Sequence, residues 1–235
     1  MRHPNSQDPI LNGLNATIKK GEIIALVGRN GSGKTTFLKL LADIYPLING
    51  SIQINGINLQ QYDPTTYRQN IGIISEAPEL FFGTIAQNIK LGNNKLTHRE
   101  IELILKQIGA FEAISKLPGK LDYIIGDERT MTLSSSLIYQ ITLARALAKN
   151  PPLLLMDEIP TALCQGDNLK KIIRFINRWR GKKTILLVTF NEEIMANADR
   201  LSFFLGDGRI ATGLPKDLIP AIQKQPGFRL ETTDV

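Results

Sequence analysis

The chain has 235 residues, 43% of them hydrophobic and 21% charged. That balance excludes a disordered tail or a disulfide-stapled miniprotein, and the length is ample for a substantial core. Lys and Arg number 28 against 22 Asp and Glu, a formal charge of +6, which alone leaves nucleic acid, an anionic membrane surface and nucleotide phosphates all open as partners.

The single cysteine, Cys164, has no intrachain partner, as suits a reducing compartment. No apolar run reaches the roughly 20 residues of a membrane span. The segment His3-Pro4-Asn5-Ser6-Gln7-Asp8 has no leader-like apolar core. A soluble cytoplasmic domain is expected.

In chain order, Ile10 to Ile18 and Glu22 to Val27 read as short strands. A glycine-rich turn follows, and Thr35 to Ala42 carries the leucines of a helix. Gly50 to Ile54 and Ile57 to Leu59 alternate around Asn55-Gly56, which predicts a hairpin. Ile71 to Ser75 is a further strand. From Pro78 to about Leu147 the spacing turns helical, with Ile101, Leu105 and Ile108 on one face, until Asn150-Pro151 ends the run. Strands return at Leu153 to Met156 and Ile185 to Thr189, separated by a helix over Leu169 to Trp179. Leu201 to Leu205 and Arg209 to Ala211 flank Gly206-Asp207-Gly208 as a closing hairpin. Strands interleaved with helices predict an α/β core, and the helical stretch an inserted sub-lobe. Lys170, Arg174 and Arg178 fall on one helix face and read as solvated. Phe175 and Trp179 read as core, and Phe81-Phe82 as loop packing.

Gly28-Arg29-Asn30-Gly31-Ser32-Gly33-Lys34-Thr35 matches G-x-x-x-x-G-K-[ST] in full, between a predicted strand and a predicted helix. Glycines let the backbone wrap a polyphosphate with successive N–H groups pointing inward, and the helix N-terminus adds partial positive charge. Lys34 is expected on the β- and γ-phosphates and the Thr35 hydroxyl on Mg²⁺. The companion feature is an apolar strand ending in acid, Leu153-Leu154-Leu155-Met156-Asp157-Glu158. Asp157 is expected in the Mg²⁺ shell, and Glu158 is the candidate catalytic residue that polarises an attacking water.

The order and spacing of these segments resemble the nucleotide-binding domain of ABC transporters, of the exporter and type I secretion group. The resemblance runs from "ILNGLNATIKKGEIIALVGRNGSGKTTFLKLLADIYPLINGSIQINGINL" through "YDPTTYRQNIGII", "ELFFGTIAQNI" and "LSSSLIYQITLARALAKNPPLLLMDE" to "ADRLSFFLGDGRIATG". It implies one domain over 1–235: a P-loop NTPase (RecA-like) α/β core, an antiparallel β subdomain and an α-helical subdomain inserted at about 78–147. It implies ATP and Mg²⁺ as ligands, a second nucleotide-binding domain and a transmembrane domain as partners, and a place on the cytoplasmic face of a membrane. Nucleotide contacts would come from Gly28 through Thr36, with His3 at the interval of the family's adenine-stacking aromatic. Phe81-Phe82 would lie near the transmembrane contact.

Several positions depart from the family's pattern. Glu76 stands where a glutamine senses Mg²⁺ and the attacking water, so the candidate metal set is Thr35, Asp157 and Glu76. The signature, LSGGQ in the family, reads Leu133-Ser134-Ser135-Ser136-Leu137. Both glycines that allow close approach to the partner's ATP have gained side chains. Cys164 replaces the aspartate after the acidic strand, and Phe190 replaces the switch histidine. Two readings follow: an exporter's ATP-driven motor with slow hydrolysis, or a catalytically inactive, ATP-binding regulatory half of a heterodimeric transporter. A soluble nucleic-acid or translation factor with an ABC-like ATPase is disfavoured, because those factors usually carry two such domains, and no nucleic acid partner is expected.

Overall fold

The computed structural model describes residues 11–126 and 132–225, together with Leu230. The chain enters through β1 (Ile23–Gly28) and turns into α1 (Lys34–Leu41). The hairpin β2 (Gln53–Ile54) and β3 (Ile57–Asn58) leads through α2 (Pro64–Gln69) to β4 (Ile71–Ile74). There follow β5 (Gly83–Thr84), α3 (Ile85–Lys90), α4 (His98–Gln107), α5 (Phe111–Ser115), β6 (Ile124–Ile125) and α6 (Ser135–Ala148). The remainder alternates: β7 (Leu153–Met156), α7 (Gly166–Trp179), β8 (Thr184–Val188), α8 (Glu192–Ala196), β9 (Arg200–Phe204), β10 (Ile210–Gly213) and α9 (Pro215–Gln223).

One six-stranded sheet, ordered β10-β9-β1-β8-β7-β4, forms the centre. All its neighbours run parallel except β10, which pairs antiparallel with β9. Parallel sheets are covered on both faces, and the alternation of side chains divides each strand between two cores. Ile23, Ala25 and Val27 enter one apolar cluster with Leu154, Met156, Ile185 and Leu187, on the face that α6 and α7 cover. Ile24 and Leu26 enter the other with Leu155, Leu186 and Val188, where Phe37, Leu38 and Leu41 of α1 pack. At about 25 cal/mol per Å² of apolar burial, this two-sided covering is the dominant favourable term in folding.

The helical stretch between β4 and β7 also holds a short ladder, β5 with β6. Its helices have local start signals: Thr84 with Gln87 and Thr97 with Glu100 are reciprocal capping boxes at α3 and α4. The antiparallel β region is smaller than expected. Ile10 lies outside the described residues, and residues 11–22 form no strand. Leu11, Leu14 and Ile18 instead pack against the α1-side core, a spacing of three and four rather than the alternation a strand requires. The Phe81-Phe82 expectation is also corrected. Phe82 is 79% exposed and Phe81 60%, its ring lying 5.1 Å from the Arg145 guanidinium. Phe175 is buried as expected, Trp179 packs partly buried against the same cluster, and Lys170, Arg174 and Arg178 face solvent.

Candidate nucleotide site

The site lies beyond the carboxyl ends of β1, β8, β7 and β4, which are neighbours in the sheet, the edge where open parallel sheets bind ligands. Register decides which side chains meet there. Leu26 pairs with Val188 and Met156 with Leu187, so Gly28 and Phe190, each two residues further on, emerge side by side. Ile74 pairs with Met156, and the Asp157 N–H donates to the Ile74 carbonyl at 2.8 Å. Glu76 therefore leaves β4 beside Asp157 and Glu158.

Gly28 begins the loop with φ 151°, and a Cβ there would meet the Phe204 carbonyl oxygen and Ser32 Oγ at 2.8 Å. Only glycine fits that approach. Gly33 caps α1 with φ 102° and offers no side-chain bond to the first turn, leaving that turn's N–H groups directed at the loop's concavity. Ser32 Oγ is buried in the same loop without a hydrogen-bond partner. A buried orphan hydroxyl beside open helix N–H groups suits an anion able to accept from both.

Lys34 is 7% exposed. Its Nζ donates to the carbonyl oxygens of Gly28 at 2.6 Å and Arg29 at 2.9 Å, and lies 5.2 Å from the centre of the Phe190 ring. Burial pushes its ammonium below the ordinary value, opposed by the charges of Glu158, Asp157 and Glu76. The Thr35 hydroxyl donates to Asp157 Oδ1 at 3.1 Å. Burial raises the Asp157 carboxyl; the Thr35 bond opposes that, and the Glu76 charge adds to it. Glu158 follows with φ 46°, an uncommon left-handed conformation for a side-chain-bearing residue that sets the direction of the turn after β7.

Among the described residues, no group of three or more His, Cys, Asp or Glu is gathered closely enough to hold a metal by itself. Thr35 and Asp157 are nonetheless hard oxygen donors already in mutual contact, and Mg²⁺ commonly completes its shell with phosphate oxygens and water. This donor set fits Mg²⁺ arriving with a nucleotide. Glu76 is exposed beside it.

The structure thus gathers Gly28, Arg29, Asn30, Gly31, Ser32, Gly33, Lys34, Thr35 and Thr36 with Glu76, Asp157, Glu158 and Phe190 on one edge. His3 lies outside the described residues. Ser134, Ser135 and Ser136 stand instead at the start of α6, where Ser134 Oγ is used by its own helix, accepting from the Leu137 N–H at 3.3 Å. Cys164 is 3% exposed, and its Sγ lies 3.8 Å from the Ile159 carbonyl oxygen.

Two residues of this neighbourhood carry no motif. Asn191, 2% exposed, caps α8 through the Ile194 N–H and donates to the Cys164 carbonyl oxygen at 3.3 Å. It ties the turn after β8 to the turn after β7. Tyr139 on α6 is fully buried, its hydroxyl without a partner and pushed to high pKa above all by burial, with the Asp157 charge adding to it. Asn191 had a readable signal, a capping amide ahead of Glu192-Glu193; Tyr139 had none.

A family model described as ABC transporter matches residues 11–162. The chain is 37% identical over 202 residues to ABC transporter B family member 4 of Dictyostelium discoideum, covering 86% of this chain and 26% of that protein. It is 35% identical to the ATP-dependent lipid A-core flippase of Pseudoalteromonas translucida, covering 85% of this chain and 34% of that one. A solved bacterial Atm1-family ABC exporter with ATP bound superposes with a TM-score of 0.82 at 29% identity, covering 92% of this chain and 38% of the exporter chain. The chain spans about a quarter to two fifths of the length of these relatives. Among the described residues, no helix is long and apolar enough to cross a membrane. Loop, acidic strand end, sheet order and the family match over most of the chain agree, and the chain belongs to the ABC transporter family as its ATP-binding domain.

Proposed function

We propose that this domain binds ATP with Mg²⁺ and drives an exporter-type transporter from the cytoplasmic face of a membrane, with hydrolysis slow or impaired. It forms a single unit over 1–235, in which the helical stretch at about 78–147 is a sub-lobe. A transmembrane domain of the same or a neighbouring chain and a second nucleotide-binding domain are its partners. The carrying observation is the phosphate loop: a buried Lys34 inside it, an uncapped helix N-terminus behind it, and Thr35 bonded to Asp157.

The Gly28–Thr35 backbone would hold the phosphates, Lys34 would exchange its two carbonyl acceptors for phosphate oxygens, and Thr36 would continue the cradle into α1. Thr35 and Asp157 would hold Mg²⁺, which when bound neutralises charge on the phosphate oxygens. Glu158, at the end of β7, would orient the water that attacks the γ-phosphorus as the bond to the leaving oxygen breaks. Phe190 offers that transferring group no donor. Ser134 to Ser136 would face a partner's nucleotide.

Substitution at Glu76, Ser135, Ser136, Cys164 and Phe190 favours a half that binds ATP and leaves most turnover to an intact partner. Binding of a fluorescent ATP analogue tests the nucleotide reading. Lys34→Ala is expected to lose most affinity, because the polyphosphate loses its principal cation. Equal affinity in both proteins would sink the assignment of this loop.

A further inference from the structure

The nucleotide site has an electrostatic imbalance. Lys34 is inside the loop, yet the fields of Glu158, Asp157 and Glu76 all act on its ammonium. Two of these carboxylates follow β7 directly. Glu76 is added by β4, through the Ile74–Met156 register and the Asp157 N–H to Ile74 bond. An incoming triphosphate with no metal carries several negative charges into a space already faced by three carboxylates. Lys34 and Lys39 are the cations whose fields reach Asp157, and Arg29 adds a further cation in the loop itself.

We propose, building on the nucleotide reading above, that Glu76 biases nucleotide binding toward the form complexed with a divalent cation. The site prefers the metal–nucleoside triphosphate complex over the free triphosphate, with Glu76 setting about tenfold of that preference. Glu76 is a specificity-determining residue for the metal-complexed form. The cation is delivered by the nucleotide, since the described residues hold no ready-made cage of three or more metal-ligating side chains and Mg²⁺ binds readily through one or two carboxylates plus phosphates.

Glu76 is exposed, so water and salt screen its field, and an effect of about tenfold in affinity is expected. Because the effect is a repulsion across solvent, it must also shrink as ionic strength rises. A purely coordinating role for Glu76 has neither property in the metal-free state.

The test is a titration of the whole chain with a fluorescent ATP analogue, once in excess Mg²⁺ and once in EDTA, at two salt concentrations. The parent protein is expected to bind far more weakly in EDTA. Glu76→Gln is expected to recover about tenfold of that loss, with the gain in the EDTA arm and larger at low salt. Glu76→Asp keeps the parent's ratio between the two arms. The exposed position lets all three proteins fold alike, which thermal unfolding verifies. An unchanged Mg²⁺-to-EDTA ratio in Glu76→Gln overturns the inference while leaving the nucleotide site intact. So does a loss confined to the Mg²⁺ arm, which assigns Glu76 to coordination alone. If the parent binds the analogue in neither arm, the nucleotide reading itself is wrong.

Discussion

The Lys34 ammonium lies 5.2 Å from the centre of the Phe190 ring, so the residue that follows β8 presents a ring to the lysine of the glycine-rich loop. Such a contact contributes about 0.5–1 kcal/mol at exposed sites and about 2 when desolvated. It is weaker than the two carbonyl contacts that hold the same Nζ. Because Lys34 is buried, the larger figure is the bound, and Phe190→Leu is expected to change the affinity for MgATP by no more than about thirtyfold. Equilibrium binding of the fluorescent analogue measures this. A loss as large as that of Lys34→Ala would mean Phe190 organises the loop, and not merely borders it.

The turn after β8 is also held from behind. Asn191 is buried, caps α8 through the Ile194 N–H at 3.0 Å and donates to the Cys164 carbonyl oxygen at 3.3 Å. Asn191→Ala removes both side-chain bonds, the helix cap and the link to the Cys164 carbonyl, a cost of about 1–3 kcal/mol. Reversible urea unfolding should show the lower midpoint. Asn191→Asp keeps the cap but offers the Cys164 carbonyl no donor, so it should fall between. A parental midpoint in Asn191→Ala would deny this residue its bridging role.

Much of the architecture is readable in the chain itself. Glu22 to Val27 and Leu153 to Met156 are continuous apolar runs bounded by turns, and the structure buries both as parallel strands whose alternate residues feed opposite cores. The phosphate loop and Asp157 are equally local, since each is one stretch of sequence with one geometry. Contacts between strands are not. Phe190 meets Lys34 because β8 is neighbour to β1, and nothing in either stretch states that adjacency. The segment 11–18 misled through composition: its leucines and isoleucine are apolar enough for a strand, but no neighbour offers them a ladder, and they pack as anchors in a loop.

The start of α6 bears on assembly. Ser134 Oγ accepts from the Leu137 N–H of its own helix, and Ser135 and Ser136 open its first turn; on the proposed reading, their side chains would stand between this turn and a partner's phosphate. The isolated domain is expected to stay largely monomeric with MgATP, even as Glu158→Gln, where slow turnover preserves the nucleotide. Multi-angle light scattering reads the mass directly. A tight ATP-dependent homodimer would show that the serines are accommodated.

Hydrolysis is the last consequence of the same geometry. In-line attack by water spreads charge over the γ-phosphoryl oxygens, and preorganised donors must meet that charge. Phe190 emerges beside Gly28 with a ring that donates nothing. Losing one comparable donor elsewhere costs roughly 2.7–4 kcal/mol, about 10²–10³ in rate. Glu76 adds a like charge next to Asp157. Steady-state phosphate release by the isolated domain is therefore expected to be very slow. Phe190→His alone should recover little, because groups acting as a unit are non-additive. The combined variant Phe190→His, Glu76→Gln, Ser135→Gly, Ser136→Gly and Cys164→Asp should recover more. Cys164→Asp places a carboxylate at a position only 3% exposed, so the four-fold variant that keeps Cys164 runs beside it as the folding control, with Glu158→Gln as the blank. Parental turnover equal to that of the restored variants would mean these substitutions do not limit the reaction, and the chain would then stand as a working motor.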